Sequence, residues 1–236
     1  MHGKGACNDR KGNMNDTLVM LHATTSLITT FEDLCADLLP EIRVKHIIDE
    51  VLLEEVCLRG NYQPADVQRM AGYVQSALAI GAKAMLVTCP ALSPLVDRLP
   101  RLSGLRVYKI DTAMIALAAQ KGERIGVLAT DPTLLESMRR MLKDEAEMIN
   151  REIMVEMMIV PEAQDALRDG NCEKYDRLIR KSIMEISDWV DCVVLAQASM
   201  ARAMPVRNQP RRKVPVLSGP HLALGQIREY LWASSN

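Results

Sequence analysis

Cys89 stands where an apolar run, Ala84-Met85-Leu86-Val87-Thr88, gives way to a helix start at Ser93-Pro94-Leu95-Val96. In an open α/β sheet, ligands bind beyond the carboxyl ends of the strands. Amides at a helix entrance favour a thiolate, the form of cysteine that takes protons and attacks carbon. The plainer alternative is a small apolar filler in a loop. His22 closes an earlier apolar run and is followed by Ala23-Thr24-Thr25-Ser26. An imidazole there can serve as acid, base or positive partner for a thiolate. The hydroxyls of Thr24 and Thr25 can grip a carboxylate or cap a turn. Asp49 and Asp111 each follow a strand, where a carboxylate either faces a cleft or caps the next helix. Thr130 precedes Asp131-Pro132, a helix entrance whose amides suit an anion. Gln197 and Ser199 lie in Ala196-Gln197-Ala198-Ser199-Met200, directly after a short apolar strand. Each can line a pocket, or serve only its own loop. Tyr62 sits in a Gly-Asn-Tyr-Gln loop placed to cover a cleft, and His221 lies near the last helix start.

The elements that must hold these residues alternate along the chain. Apolar strand patterns fall at residues 18–22, 44–48, 84–88, 106–110, 124–130, 153–160, 193–196 and 214–217. Between them run helical patterns at 31–39, 51–58, 64–80, 111–120, 132–150, 163–170, 173–189 and 220–232. Gly60 and Gly81 stop two of them, and Pro64 opens one. Regular βα alternation predicts an α/β fold of mostly parallel strands with right-handed crossovers. The layout repeats after Ile110, and the loop at Thr88-Cys89-Pro90 finds a positional counterpart at Ala196-Gln197-Ala198. Two similar lobes, each a parallel sheet flanked by helices, would set these loops across an interlobe active site. The expected division is a flexible tail over 1–15, a first lobe over 16–110 plus 213–236, and a second lobe over 111–212.

Composition excludes several functions. Twenty-nine Lys and Arg face 30 Asp and Glu, so no nucleic-acid footprint is expected. Aromatics make up 3%, too few for base-stacking platforms. No apolar run approaches the roughly 18 residues of a membrane span. The start lacks an apolar signal core, and the six cysteines form no CxxC pair and no zinc spacing. Reduced, mostly structural thiols in a cytoplasmic protein without a bound metal are the expectation. The basic run Arg207 to Lys213 reads as a solvated connection.

Three segments together carry a family resemblance: Leu86-Val87-Thr88-Cys89 with Leu92-Ser93, Arg124-Ile125-Gly126-Val127-Leu128-Ala129-Thr130, and Val193-Val194-Leu195-Ala196-Gln197-Ala198-Ser199-Met200-Ala201. From about Thr17 onward the chain resembles the aspartate/glutamate racemase superfamily, which includes hydantoin racemase, maleate isomerase and arylmalonate decarboxylase. The resemblance implies a cofactor-independent racemase or isomerase acting on a small carboxylic acid, and a homodimer. Its racemases set one cysteine on each lobe, on opposite faces of the substrate's α-carbon. The first position maps onto Cys89. The second maps onto Gln197, whose amide has no titratable proton near neutral pH. Pro90 also departs from the pattern, because it lacks the N–H that would help hold a carboxylate. Ala91 N–H, the Thr88 and Ser93 hydroxyls, His22, Thr24, Thr25, Thr130, Ala198 and Ser199 remain the expected substrate-binding set. The departures leave open a single-cysteine decarboxylase or hydrolase, or a non-catalytic carboxylate-binding protein.

Overall fold

The computed structural model describes residues 16–100, 104–130, 132–204 and 214–234. The expected tail over 1–15 and the basic run from Arg207 to Lys213 lie outside them. Two four-stranded parallel sheets form. The first holds β1 (Thr17–His22), β2 (Arg43–Ile48), β3 (Ala84–Val87) and β4 (Arg106–Lys109), in the order β2-β1-β3-β4. The second holds β5 (Arg124–Ala129), β6 (Met154–Ile159), β7 (Cys192–Leu195) and β8 (Val216–Ser218), in the order β6-β5-β7-β8. Each lobe thus repeats one topology: its second strand at one edge, its fourth at the other.

Central strands are buried on both faces, which is why they read as unbroken apolar runs. Along β1, Leu18 and Met20 face one core while Val19 and Leu21 face another. The first core also takes Phe31 and Leu34 of α1 (Ile28–Leu38) and Ala223, Leu224 and Ile227 of α9 (Gly219–Ser234). On the opposite face pack α2 (Glu50–Arg59) and α3 (Pro64–Ala79), through Leu52, Val56, Met70 and Val74. In the second lobe, α5 (Thr112–Lys121) and α6 (Pro132–Met148) cover the face of Ile125 and Val127. The other face takes α7 (Pro161–Arg168) and α8 (Cys172–Ile186).

Local chemistry sets the helix ends. Pro64 opens α3 inside a reciprocal capping box between Gln63 and Asp66. Gly60 closes α2 with φ of +68°, a left-handed turn that costs glycine nothing.

One boundary differs from the sequence expectation. β8 pairs with β7, so the last strand belongs to the second sheet and not to the first lobe. Only the helix that follows it, α9, packs against the first sheet. The chain therefore crosses between lobes twice, at Ile110–Asp111 and at Ser218–Gly219. Among the described residues no helix is long and apolar enough to cross a membrane.

Candidate active site between the lobes

Cys89 leaves β3 in an extended conformation and starts a 3-10 turn, Pro90–Leu92, that runs into the one-turn helix α4 (Ser93–Val96). Gln197 leaves β7 in the same way and starts a second 3-10 turn, Ala198–Ala203. Ala198 and Ala201 of that turn join the core of the first lobe, whereas Met200 and Ala203 join that of the second. The turn is therefore a wedge shared by both lobes. Between the two loops lies a gap of about 10 Å³, lined by Pro90, Asp111, Ala196 and Ala198 among others. That space suits about one water molecule. Two larger, open hollows, of about 580 and 460 Å³, lie at the amino ends of second-lobe strands. Ligands of parallel sheets bind at the opposite end.

The Cys89 thiol is half-buried, and burial pushes its pKa up. The nearby N–H groups of Ala91 and Leu92, the latter donating to the Cys89 carbonyl at 3.0 Å, pull the other way. This corrects the expectation of a favoured thiolate: the helix-entrance amides are present, but burial outweighs them. Over this loop the Tyr62 hydroxyl donates to the Ala91 carbonyl at 2.7 Å, and the Arg98 guanidinium sits 5.2 Å from the Tyr62 ring centre.

His22 is fully buried behind the cysteine loop. The Thr88 hydroxyl donates to the Leu21 carbonyl at 3.0 Å, so its oxygen accepts from His22 Nδ1–H at 3.0 Å. His22 Nε2 then accepts from His46 Nδ1–H at 2.8 Å. The His22 ring is neutral in this arrangement. Burial, with the His46 charge second, pushes His22 down to about 4. His22 is thus no positive partner for the thiol; it holds Thr88. His46 did not register as a site residue from sequence. The available signal was a histidine on a strand running parallel to the one that ends in His22.

Most of the expected hydroxyls are occupied. Thr88 is held as described. The Ser93 hydroxyl lies 3.1 and 3.3 Å from the two oxygens of Asp111 and donates to one of them at a time. Thr130 N–H donates to Gln197 Oε1 at 2.7 Å, and the Thr130 hydroxyl lies 2.9 Å from that oxygen and 2.6 Å from the Gln164 amide. The hydroxyl's one proton goes to Gln164 Oε1, the nearer acceptor, and Gln197 Oε1 is held by the Thr130 N–H. This clamp fixes Gln197 with its oxygen inward. Ser199 pairs with the buried Tyr175 hydroxyl at 2.9 Å. Thr24 caps the turn at Thr25–Leu27 through Ser26 N–H, and Thr25 is exposed beside it. Asp49 caps α2 through Leu52 N–H and takes Arg69 and Tyr73, a structural role. His221 pairs with Ser218 at 3.2 Å.

Of the expected cleft residues, the interlobe gap directly touches Ala198 and the neighbours of Cys89 and Gln197. Asp111, equally readable from sequence as a helix cap, lines it as well. Among the described residues no group of three His, Cys, Asp or Glu is placed to hold a metal ion.

Known structures share this architecture. The aspartate racemase of Picrophilus torridus superposes with a TM-score of 0.67 at 12% identity, covering 92% of this chain and 94% of that one. The allantoin racemase of Klebsiella pneumoniae gives 0.58 at 13% identity, over 93% and 88%. Unliganded arylmalonate decarboxylase gives 0.56 at 13% identity, over 94% of each. At such identities the likeness is one of fold. No curated relative matches the sequence. The family model for Asp/Glu/hydantoin racemases, however, matches residues 18–227; the chain therefore belongs to that family.

Proposed function

We propose that this protein is a cofactor-independent racemase or isomerase that moves a proton at the α-carbon of a small carboxylic acid through Cys89. The observation that carries this reading is the apposition of the Cys89 and Gln197 loops across a gap at the carboxyl ends of both sheets. A gap of about 10 Å³ is too small for such a substrate, so the lobes must part to admit it. Cys89 gives or takes the α-proton. Gln197, its oxygen fixed by Thr130, presents its NH2 end as a donor to the carboxylate that absorbs the carbanion's charge. The amides of Ala198 and Ser199, at the open start of their turn, add donors of the same kind.

A second reading follows from Gln197 itself. Without a titratable proton at that position, Cys89 can act alone, as in a decarboxylase or hydrolase of the family.

The test is α-hydrogen exchange in deuterated water, followed by proton NMR, on both enantiomers of alanine, aspartate, glutamate, lactate, malate and mandelate. The racemase reading expects exchange in recovered substrate and a loss of at least about 100-fold in Cys89→Ala. Conversion without such exchange favours the lyase or hydrolase. Exchange that survives Cys89→Ala overturns the role of Cys89.

A further inference from the structure

The glutamine at position 197 removes the second thiol, yet two-sided proton transfer needs a second titratable group. We propose that Asp111 supplies it, exchanging a proton with the same carbon as Cys89. The inference rests on the function proposed above.

Asp111 follows β4 at the first crossing between lobes. Its position is a helix N-cap, but its side chain makes no capping bond to α5. It is 1% exposed and lines the gap together with Pro90, Ala196 and Ala198. Its side-chain partner is the single hydroxyl of Ser93, which serves one oxygen at a time. Lys109, the cation at the end of β4 nearest Asp111, is held by Asp97 at 2.9 Å. Asp49 shows what a buried structural aspartate looks like in this chain: it caps a helix and takes an arginine and a tyrosine. Asp111 has neither a cap nor a bound cation, and its surroundings include Ile110, Met114 and Leu195. A bare carboxylate there is costly, so the group holds a proton more readily than an exposed aspartate. Burial pushes its pKa up accordingly, against the Ser93 bond, its own backbone N–H and the more distant Lys109 charge. Cys89, Lys109 and Asp97 are the charged or titratable groups that act on it.

A carboxyl ordinarily titrates far below a thiol, so the resting pair is Asp111 carboxylate and Cys89 thiol. With the substrate's α-carbon between them, Asp111 takes the α-proton and the electron pair moves towards the substrate's carboxylate. The Cys89 thiol then gives its proton to that carbon. The step leaves Asp111 protonated and Cys89 as thiolate. The opposite enantiomer runs the step in reverse, and exchange with water also restores the start.

The test uses the full chain and the same twelve compounds in deuterated water, comparing wild type, Asp111→Asn, Cys89→Ala and Ser93→Ala. Asp111→Asn is expected to lose inversion by at least about 100-fold. It should still exchange the α-hydrogen of the enantiomer that Cys89 deprotonates, while Cys89→Ala keeps exchange of the other. Inversion at the wild-type rate in Asp111→Asn overturns the role of Asp111 alone. Equal loss of exchange from both enantiomers overturns it too, since that marks a structural part. Should Asp111→Asn fail to fold, Ser93→Ala decides. Removing the donor that favours the carboxylate should raise the pKa of the acidic limb of the exchange profile, and an unmoved limb overturns the proposal. A wild type that exchanges nothing overturns the parent function and this role with it.

Discussion

At Cys89 two influences of opposite sign meet: burial raises the thiol, and the amides of Ala91 and Leu92 lower it. Burial is the larger, so labelling by iodoacetate should titrate above the roughly 8.5 of a free thiol. The exposed Cys57 should label faster at pH 7. Peptide mass analysis after timed labelling checks this. Fastest labelling at Cys89 with an apparent pKa near 7 would mean that the amides win. The histidine pair gives a prediction of different kind. Unfolded His22 binds its proton near 6.5, and the folded ring only near 4. Between these values the unfolded chain holds more protons, so stability rises with pH. The contribution is complete above about 6.5 and is lost as pH falls towards about 4. The shift corresponds to about 3 kcal/mol. Urea unfolding at pH 7 and at pH 4.5 should reveal it, and His22→Gln should show a smaller difference between the two. Identical pH slopes in both proteins would place the titration elsewhere.

The strands were legible because parallel strands buried on both faces spell continuous apolar runs, as at Leu18 to Leu21 and Cys192 to Leu195. Partnership between strands was not. β8 is three residues long, and nothing in Val216-Leu217-Ser218 says which sheet it joins. Pairing in parallel sheets is set by distant segments, here β7. The site divides in the same way. The loops of Cys89 and Gln197 follow from their strands, so their apposition was readable. The fates of Thr88, Ser93 and Thr130 hinge on partners 18 to 67 residues away, which local pattern does not encode. One close contact between elements shows how tightly they fit. A Cβ on Gly126 in β5 would stand 2.7 Å from Ile186 Cδ1 in α8. Gly126→Ala should therefore destabilise by about 1–3 kcal/mol through overpacking. Since the obstacle is the end of a side chain, adding Ile186→Val should recover part of that loss in urea unfolding. No recovery in the double variant would mean the strain lies in the backbone of β5.

The two lobes are joined where the chain crosses at Ile110–Asp111 and at Ser218–Gly219, and these crossings touch. A Cβ on Gly219 would stand 2.7 Å from the backbone oxygen of Ile110. Here the obstacle is backbone, so relief requires one crossing to move against the other. Both crossings border the interlobe gap: Ile110, Asp111, Gly219 and Pro220 all line it. The gap holds about one water when closed, and Pro90, the residue after Cys89, lines it, so small displacements of the lobes should change access to the thiol. Gly219→Ala should then raise the iodoacetate labelling rate of Cys89 several-fold at fixed pH, leaving Cys57 unchanged. Gly126→Ala serves as the control, because it strains the far face of the second sheet and destabilises without touching the crossings. Faster labelling of Cys89 in Gly219→Ala alone would identify the paired crossings as the pivot on which the site opens. Equal acceleration in both variants would mean that general loosening, and not movement at the pivot, exposes the cysteine.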